Sequence, residues 1–272
     1  MKRQKAAEKA AKAYSVSRKI DGWFSPEAAM LIGLIDFCQK KRDIFGDIFE
    51  IGVHHGKSST FMAGLLRRNE KLAVCDIFGE QSYNDSSSGK GDEDIFRANM
   101  GKVLDPNRLE IFRKYSTKLT EEEIGKRYRI FHIDGGHNCD EALSDLHLGA
   151  KCIAEGGVLI LDDPLRPEWP GVAEALVRFL DENKNFGAFI LGFNKMCLAE
   201  RKYISIYRNL YTDKKTRELF KIGYPHSLKQ LPFCDEDLNI LYVNSNINPH
   251  SFKSKLVRYI KSKPALADLI RS

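Results

Sequence analysis

Two short apolar segments, separated by one helical pattern, constrain the fold of this chain more than any other feature. The first, RIFHID, ends at Asp134, and the second, VLILDD, ends at Asp162 and Asp163. Between them, residues 138–154 place alanine and leucine side chains along one helical face. Strands that alternate with helices predict a parallel sheet, and nearly uniform apolar strands predict burial on both faces of that sheet.

The same alternation extends along most of the chain. Further strands are predicted at Asp47–Gly52, Leu72–Phe78 and Leu109–Phe112. Helices are predicted at Pro26–Lys41 (with Ser25 as N-cap), Lys57–Arg68, Glu93–Leu104, Asn138–Ala154 and Gly171–Asn183. Two more strand-like segments, Phe186–Phe193 and Cys197–Tyr207, are joined by only three residues, which predicts an antiparallel hairpin at the sheet edge. We therefore predict an α/β fold with a doubly wound sheet and helices on both faces.

Composition limits the class of protein. A chain of 272 residues with 43% hydrophobic residues can form one domain with a full core. No apolar run approaches the roughly 20 residues that span a bilayer, and the first residues lack the apolar core of a secretory signal. The six cysteines are spaced singly, which predicts reduced thiols rather than disulfides or a zinc site. We expect a cytoplasmic protein that does not contact a membrane.

The basic charge lies at the two ends of the chain. The net charge is +6, of which residues 1–20 carry +6 and residues 251–272 carry +5, leaving −5 for residues 21–250. Nucleic-acid binding requires a basic face on the fold, so this distribution argues against it. We predict a basic N-terminal arm or helix over residues 1–20, one domain over residues 21–210, and a C-terminal extension over residues 211–272 that packs on the domain.

The segment EIGVHHGKS is a glycine turn with three interpretations besides an ordinary strand-to-helix turn. A phosphate-binding P-loop has four residues between its first glycine and the GK pair, whereas three separate Gly52 from Gly56. A dinucleotide-binding turn would have glycine where His54 stands. The third pattern, E-x-G-x-x-x-G from Glu50 to Gly56, resembles the first motif of class I S-adenosylmethionine-dependent methyltransferases, whose cofactor has no phosphates. Glycines there let the backbone approach the cofactor closely.

The next predicted strand ends in Asp76, about two dozen residues after the glycine turn. An acid at this position can accept hydrogen bonds from ribose hydroxyls. Because NAD-dependent enzymes use the same arrangement, Asp76 predicts a nucleoside without identifying it, and an NAD-dependent enzyme remains an alternative. The polar, glycine-rich residues 79–94 that follow are typical of a disordered loop or a lid.

The acids at the strand ends predict a metal site. In open α/β sheets the ligand lies beyond the carboxyl ends of the strands, where Asp134, Asp162 and Asp163 are expected. Three carboxylates repel one another unless a cation joins them, and hard oxygen ligands suit Mg²⁺ or another hard divalent ion. His137 could serve as general base for an acceptor hydroxyl. The alternatives are a turn before Pro164 and a histidine without a chemical role.

With these motifs placed, residues Ile20 to Tyr207 resemble a subgroup of class I methyltransferases that includes macrolide-sugar O-methyltransferases and cephalosporin-hydroxylase-like proteins. FEIGVHHGKSS, CDIFG, HIDGGHNCDEALSDLHLGAKCIAEGGVLILDD and FNK are similar to its successive motifs. The resemblance implies a seven-stranded Rossmann-like sheet of order 3-2-1-4-5-7-6, with the last strand antiparallel, bound S-adenosylmethionine and Mg²⁺.

The resemblance also implies roles for individual residues. His137 and Asp134 would be catalytic. The metal would lie on Asp134, Asp162 and Asp163. The cofactor would lie on Glu50, Gly52, Val53, Gly56, Ser58, Asp76 and Ser116. The sequence RKYSTKL after the third strand departs from the pattern, because it offers only Ser116 as a polar group near the adenine.

The predicted function is metal-assisted O-methylation, with S-adenosylmethionine as methyl donor, of a hydroxyl on a sugar or other small molecule. Arg166 and Trp169, in the loop Leu165–Gly171, are expected to line the acceptor pocket. We also expect a homo-oligomer, as in many relatives. Two alternatives remain. A nucleic-acid methyltransferase is supported only by the basic termini, and a non-catalytic cofactor-binding module would bind the cofactor without turnover.

Overall fold

The computed structural model of this chain describes residues 2–80, 89–125, 127–220 and 226–243. The strands are β1 Asp47–Ile51, β2 Leu72–Asp76, β3 Leu109–Arg113, β4 Tyr128–Ile133, β5 Ile153–Asp162, β6 Phe186–Gly192, β7 Lys195–Glu200, β8 His226–Phe233 and β9 Glu236–Val243. The helices are α1 Lys2–Ser17, α2 Pro26–Lys41, α3 Lys57–Ala63, α4 Glu93–Met100, α5 Glu121–Ile124, α6 Cys139–Cys152, α7 Pro170–Glu182, α8 Arg201–Thr212 and α9 Lys214–Leu219.

All nine strands of the described residues form one sheet in the order β3-β2-β1-β4-β5-β7-β6-β9-β8. The strands β3 to β5 are parallel, and β7 is antiparallel to both β5 and β6. The expected order 3-2-1-4-5-7-6 is therefore confirmed. The carboxyl ends of β1, β2, β4 and β5 meet at one end of the sheet, where the glycine turn and the acids lie.

The sheet has a hydrophobic core on each face, because the side chains of a strand alternate between the two faces. One core joins α1, α2, α3 and α8 to strand residues such as Ile48 and Ile160. The other joins α6 and α7 to residues such as Phe49 and Leu161. This arrangement confirms the prediction of helices on both faces.

Helix α1 packs on the domain through alanines. Ala7, Ala10 and Ala13 are buried on this helix. A Cβ atom added to Gly33 would lie 2.7 Å from the Cβ of Ala10, and one added to Gly64 would lie 2.6 Å from that of Ala13. Small residues on both sides therefore let α1 approach α2 and α3 closely, and the basic N-terminal segment is a packed helix.

The segment Cys197–Tyr207 is not one strand, contrary to the sequence-based prediction. Strand β7 ends at Glu200 and the chain continues as α8. Ile204 and Tyr207, three residues apart, are both buried, which is the spacing of a helical face rather than of a strand. The β6–β7 hairpin is not at the sheet edge either, because β9 pairs in parallel with β6.

The described part of the C-terminal extension continues the sheet. Strands β8 and β9 form an antiparallel hairpin beyond β6. Arg201 and Arg208 of α8 both pair with Glu236 of β9, at 2.6 and 2.7 Å. Residues 244–272 of the C-terminal extension lie outside the described residues, as do residues 81–88 of the predicted lid. Within the described ranges, no helix is both long and apolar enough to cross a bilayer.

Candidate active site

The turn after β1, residues 52–56, is called the glycine loop below, and Gly52 fixes its start. Gly52 has a φ of +77°, and a Cβ atom added there would overlap with the backbone carbonyl of Asp134. The amide of Gly52 donates to the carbonyl of Cys75, and the amide of Asp134 donates to that of Ile51, both at 2.9 Å. Glycine is therefore required where the ends of β1 and β4 meet.

Asp76 at the end of β2 holds the glycine loop through its backbone. One carboxylate oxygen accepts the amides of Val53 at 2.6 Å and His54 at 3.1 Å, and the other accepts the amide of Phe78 at 2.6 Å. His54 has a φ of +49°, a conformation that non-glycine residues adopt rarely. The predicted ribose ligand is thus also the residue that fixes the loop.

Glu50 lies beneath the glycine loop rather than at its surface. Its side chain is fully buried, with one oxygen 2.9 Å from Nδ1 of His132 and the other accepting a short hydrogen bond from the Ser59 hydroxyl. These contacts give Glu50 a role in supporting the end of β1. Direct contact between Glu50 and a cofactor remains a prediction, and the fully buried position does not favour it.

The remaining residues predicted to bind the cofactor flank the loop. Val53 and Ser58 are buried, and Ser58 lies in the first turn of α3. Gly56 precedes that helix with a φ of +86°, and a Cβ atom there would lie 2.9 Å from the ring of Phe96. Gly56 therefore serves the packing of α3 against α4 as well as the turn.

Ser116 lies in a short 3₁₀ turn after β3 and is buried beside α6. Its hydroxyl is a hydrogen-bond donor for Asp145, a fully buried residue of α6. The carboxylate oxygens of Asp145 have no other hydrogen-bond partner within the described residues. Burial and the nearby carboxylate of Glu141 raise the pKa of Asp145 to about 7. The hydrogen bond from Ser116 acts in the opposite direction and lowers this pKa. The sequence analysis did not identify Asp145.

Asp134, Asp162 and Asp163 are called the acidic edge below. Because Ile133 pairs with Leu161, Asp134 and Asp162 follow as neighbours at the ends of β4 and β5. Burial and the adjacent carboxylate of Asp162 raise the pKa of Asp134 well above its ordinary value. The strand register therefore brings these two acids together, as predicted from their positions at the strand ends.

The β6–β7 hairpin adds two residues to the acidic edge, Asn194 and Lys195, which the sequence analysis quoted in the FNK motif without giving them a role. Asp162 pairs with Lys195 in the β5–β7 register, and the Lys195 ammonium forms a short ion pair with Asp162. Burial would lower the pKa of Lys195, but Asp162 and Asp134 outweigh it and raise the pKa. The Asn194 amide donates to Asp162 at 3.1 Å and, at a shorter distance, to Asp163.

His137 and Trp169 form the outer wall of the site. His137 Nε2 lies 3.2 Å from Asp163, and its ring stacks on Trp169 with 4.5 Å between ring centroids. Burial would raise the pKa of Asp163, but hydrogen bonds from His137 and Asn194 outweigh burial and lower it. Arg166 lies 3.6 Å from the same carboxylate. The structure thus places His137, Arg166 and Trp169 together, and their role in lining an acceptor pocket stays a prediction.

A small cavity opens beside these groups. It lies between the ends of β4 and β5 and the first turns of α6 and α7, and Asp134, Gly136, His137 and Val172 are among its lining residues. The cavity therefore connects the carboxylate of Asp134 to the imidazole of His137.

At the acidic edge, the potential metal ligands among the described residues form two overlapping sets, and neither is the predicted set of three acids. Donor atoms of Asp134, His137 and Asp163 lie within 4.8 Å of one another, and so do those of His132, Asp134 and Asp162. We call the first the outer triad and the second the inner triad. Asp134 belongs to both.

The missed residues share a weak sequence signal. Lys195 and Asn194 precede the apolar run MCLA, so a lysine at the start of a buried strand could have been noticed. His132 interrupts an otherwise apolar strand. Only the fold reveals that these residues lie beside the acids.

Comparison with known proteins agrees with this geometry. A family described as "Methyltransferase domain" matches residues 49–164, which contain the glycine loop, Asp76 and the acidic edge. No curated protein sequence matches the chain. Among solved structures, the O-methyltransferase NovP superposes with a TM-score of 0.52 at 16% identity, over 63% of this chain and 78% of NovP.

Two further structures are less similar. CalS11, the calicheamicin methyltransferase, has a TM-score of 0.47 at 13% identity, over 72% of this chain and 91% of its own. TomG from Streptomyces achromogenes, an O-methyltransferase of tomaymycin synthesis solved with S-adenosylmethionine, has a TM-score of 0.46 at 15% identity, over 71% and 89%.

The family match and the strand order lead to one conclusion. Residues 49–164 match a methyltransferase domain, and the resemblance of the chain to class I S-adenosylmethionine-dependent methyltransferases, first seen in its motifs, is confirmed.

Proposed function

We propose that this protein transfers a methyl group from S-adenosylmethionine to a hydroxyl of a sugar or another small molecule. The observation that carries the proposal is the His137–Asp163 pair, which lies beside the cavity at the end of the sheet where the glycine loop also lies. The match to methyltransferase domains supports the transfer of a methyl group.

The cofactor would lie across the ends of β1 and β2. Gly52 and Gly56 keep the glycine loop close to the strands, and Asp76 would accept hydrogen bonds from the ribose while holding the amides of Val53 and His54. We place the amino acid part of the cofactor near Ser58 and the adenine near Ser116. Glu50 would act from beneath, by fixing the end of β1.

Methyl transfer requires an acceptor oxygen that loses its proton. In the proposed step the acceptor oxygen bonds to the methyl carbon, the carbon–sulfur bond breaks, and S-adenosylhomocysteine leaves as a neutral thioether. His137 takes the hydroxyl proton, and Asp163 at 3.2 Å stabilises the imidazolium that forms. Asp134 at the cavity wall would orient the hydroxyl.

A hard divalent ion such as Mg²⁺ fits the outer part of this site. Asp134 and Asp163 offer the oxygen ligands that such an ion prefers, and their donor atoms are close enough to share it. Asp162 was predicted as the third ligand, and it also contacts Lys195. A bound ion would lower the pKa of the acceptor hydroxyl.

The nature of the partners is also a proposal. Residues 21–250 carry a net charge of −5, so a small neutral or cationic acceptor is favoured over nucleic acid. A homo-oligomer is expected as well. Light scattering on the purified full chain would test it, and a monomer mass would refute it.

Calorimetry with S-adenosylmethionine and S-adenosylhomocysteine, with and without Mg²⁺, tests the cofactor first. We expect micromolar binding of both. A folded sample that binds neither would refute the proposed function. Binding would justify a screen of hydroxylated sugars in which methyl transfer from labelled cofactor is measured, and product formed equally by a His137→Gln variant would refute the proposed base.

A further inference from the structure

Lys195 is a buried cation at the acidic edge. Its side chain is 4% exposed, and its ammonium is ion-paired with Asp162 and further attracted by Asp134. The ring of Phe24, 6.0 Å from the ammonium, helps to close this side of the site from solvent. Removing an ammonium from water is costly, so a buried ammonium requires carboxylate partners.

His132 lies beside the same carboxylates and has an unsatisfied ring nitrogen. Its side chain is fully buried, and Nε2 has no hydrogen-bond partner within the described residues. The other ring nitrogen, Nδ1, lies 2.9 Å from Glu50. A carboxylate that holds one imidazole nitrogen while the other points to a cation is the arrangement found around metal-bound histidines.

The inner triad therefore has the composition of a metal site. The donor atoms of His132, Asp134 and Asp162 lie within 4.8 Å of one another, and Glu50 supports the histidine from behind. One imidazole and two carboxylates suit Mn²⁺, Co²⁺ or Zn²⁺ better than Mg²⁺. One of these ligands, Asp162, is instead bonded to an ammonium.

We propose that Lys195 closes a latent transition-metal site: its ammonium replaces a divalent ion on the inner triad of His132, Asp134 and Asp162. One consequence rests on the proposed function. The hard divalent ion proposed as an activator of the acceptor hydroxyl is confined to Asp134 and Asp163 in the outer triad. Asp162 is then a partner of Lys195 rather than a metal ligand. Lys195 is thus a positioning residue that selects a hard ion.

Removal of the ammonium tests the proposal. A Lys195→Met variant keeps the length of the side chain without its charge. After chelator treatment, the full-length wild type and variant are titrated with Co²⁺ and followed by calorimetry and visible absorption. We expect the variant to bind Co²⁺ about 10-fold more tightly or better, with the absorption of a nitrogen- and oxygen-ligated ion. Equal or weaker binding by a folded variant would overturn the proposal.

Two matched variants serve as controls. Lys195→Arg keeps the positive charge and should retain wild-type Co²⁺ affinity. Lys195→Met combined with Asp162→Asn removes both charges of the ion pair, so it remains testable if the single variant fails to fold. We expect wild-type affinity from the double variant. A 10-fold loss relative to wild type would identify Asp162 as a ligand in the natural protein and would overturn the proposal.

The same samples separate this inference from the proposed function. S-adenosylhomocysteine binding is measured alongside the Co²⁺ titration. If the wild type binds S-adenosylhomocysteine but Lys195→Met gains no affinity for Co²⁺, only the role of Lys195 is refuted. If Lys195→Met gains the Co²⁺ site but neither protein binds S-adenosylhomocysteine, the latent site is supported and the proposed function is refuted.

Discussion

The glycine loop and the acidic edge lie at the same end of the sheet but are built from different groups. The loop is held through the backbone: Gly52 leaves room for Asp134, and Asp76 accepts the amides of Val53 and His54. The edge is held by ionised side chains, such as those of Asp162 and Lys195. A change of shape should therefore disrupt the first region, whereas a change of charge should disrupt the second.

The largest effect is expected from one added methyl group in the loop. Gly52→Ala places a Cβ atom on the carbonyl of Asp134 at a φ of +77°, so the ends of β1 and β4 must separate. We expect a loss of at least about 3 kcal/mol in the free energy of unfolding, measured in urea. Gly79→Ala is the control, because nothing lies within 4 Å of its added Cβ. Equal stability of the two variants would contradict this account.

Asp145 tests whether charge matters outside the acidic edge. The pKa of Asp145 is about 7 in the folded protein, and its ordinary value, which applies to the unfolded chain, is 3.8. At pH values between these two, the folded state therefore binds more protons than the unfolded state. The free energy of unfolding therefore decreases as the pH rises from about 4 to 7, by at most about 4 kcal/mol. Asp145→Asn should remove this decrease.

Thermal unfolding of the wild type and Asp145→Asn at pH 5 and pH 8 measures this difference. We expect the variant to be the more stable protein at pH 8 and close to the wild type at pH 5. Parallel curves for the two proteins between these pH values would show that Asp145 stays ionised in the fold.

His137 tests the catalytic half of the comparison. His137→Gln removes the proposed base, and we expect kcat to fall by about 100-fold or more while S-adenosylhomocysteine affinity changes by less than about 2-fold. His147→Gln is the matched control, since His147 pairs with Glu182 at the surface. A parallel loss of cofactor affinity in His137→Gln would place this residue in the cofactor site instead.

The smallest effect is expected at Asp76. Asp76→Asn keeps the shape but leaves one acceptor oxygen for three backbone amides, so we expect a loss of about 1 to 2 kcal/mol and weaker S-adenosylhomocysteine binding by calorimetry. Asp105→Asn is the control, because Asp105 accepts one amide, that of Asn107, in an exposed turn. Unchanged binding by Asp76→Asn would mean that shape alone fixes the loop.

The two regions also differ in how far the sequence predicts them. The alternation of strands and helices predicts a parallel sheet, and the resemblance of the motifs predicts its strand order. Together they place Asp134 beside Asp162. The extent of β7 was predicted wrongly, because the local pattern of Cys197–Tyr207 suits a strand until its burial is known. This error concerns local geometry that packing decides.

The acidic edge could be predicted only in part. Three acids at strand ends predict a cation, but the sequence does not show that Lys195, more than 30 residues after Asp162, pairs with it. The burial of Glu50 against His132 likewise joins residues that are 82 positions apart. Such pairs depend on the strand register, which periodicity within one segment does not contain.

The stack of Trp169 on His137 gives the site an optical signal of its own. The chain has two tryptophans, and the other, Trp23, is exposed near the glycine loop. In a Trp23→Phe background, the emission of Trp169 would report a ligand or charge that reaches the imidazole. Acceptor binding could then be followed in real time without labelling either partner.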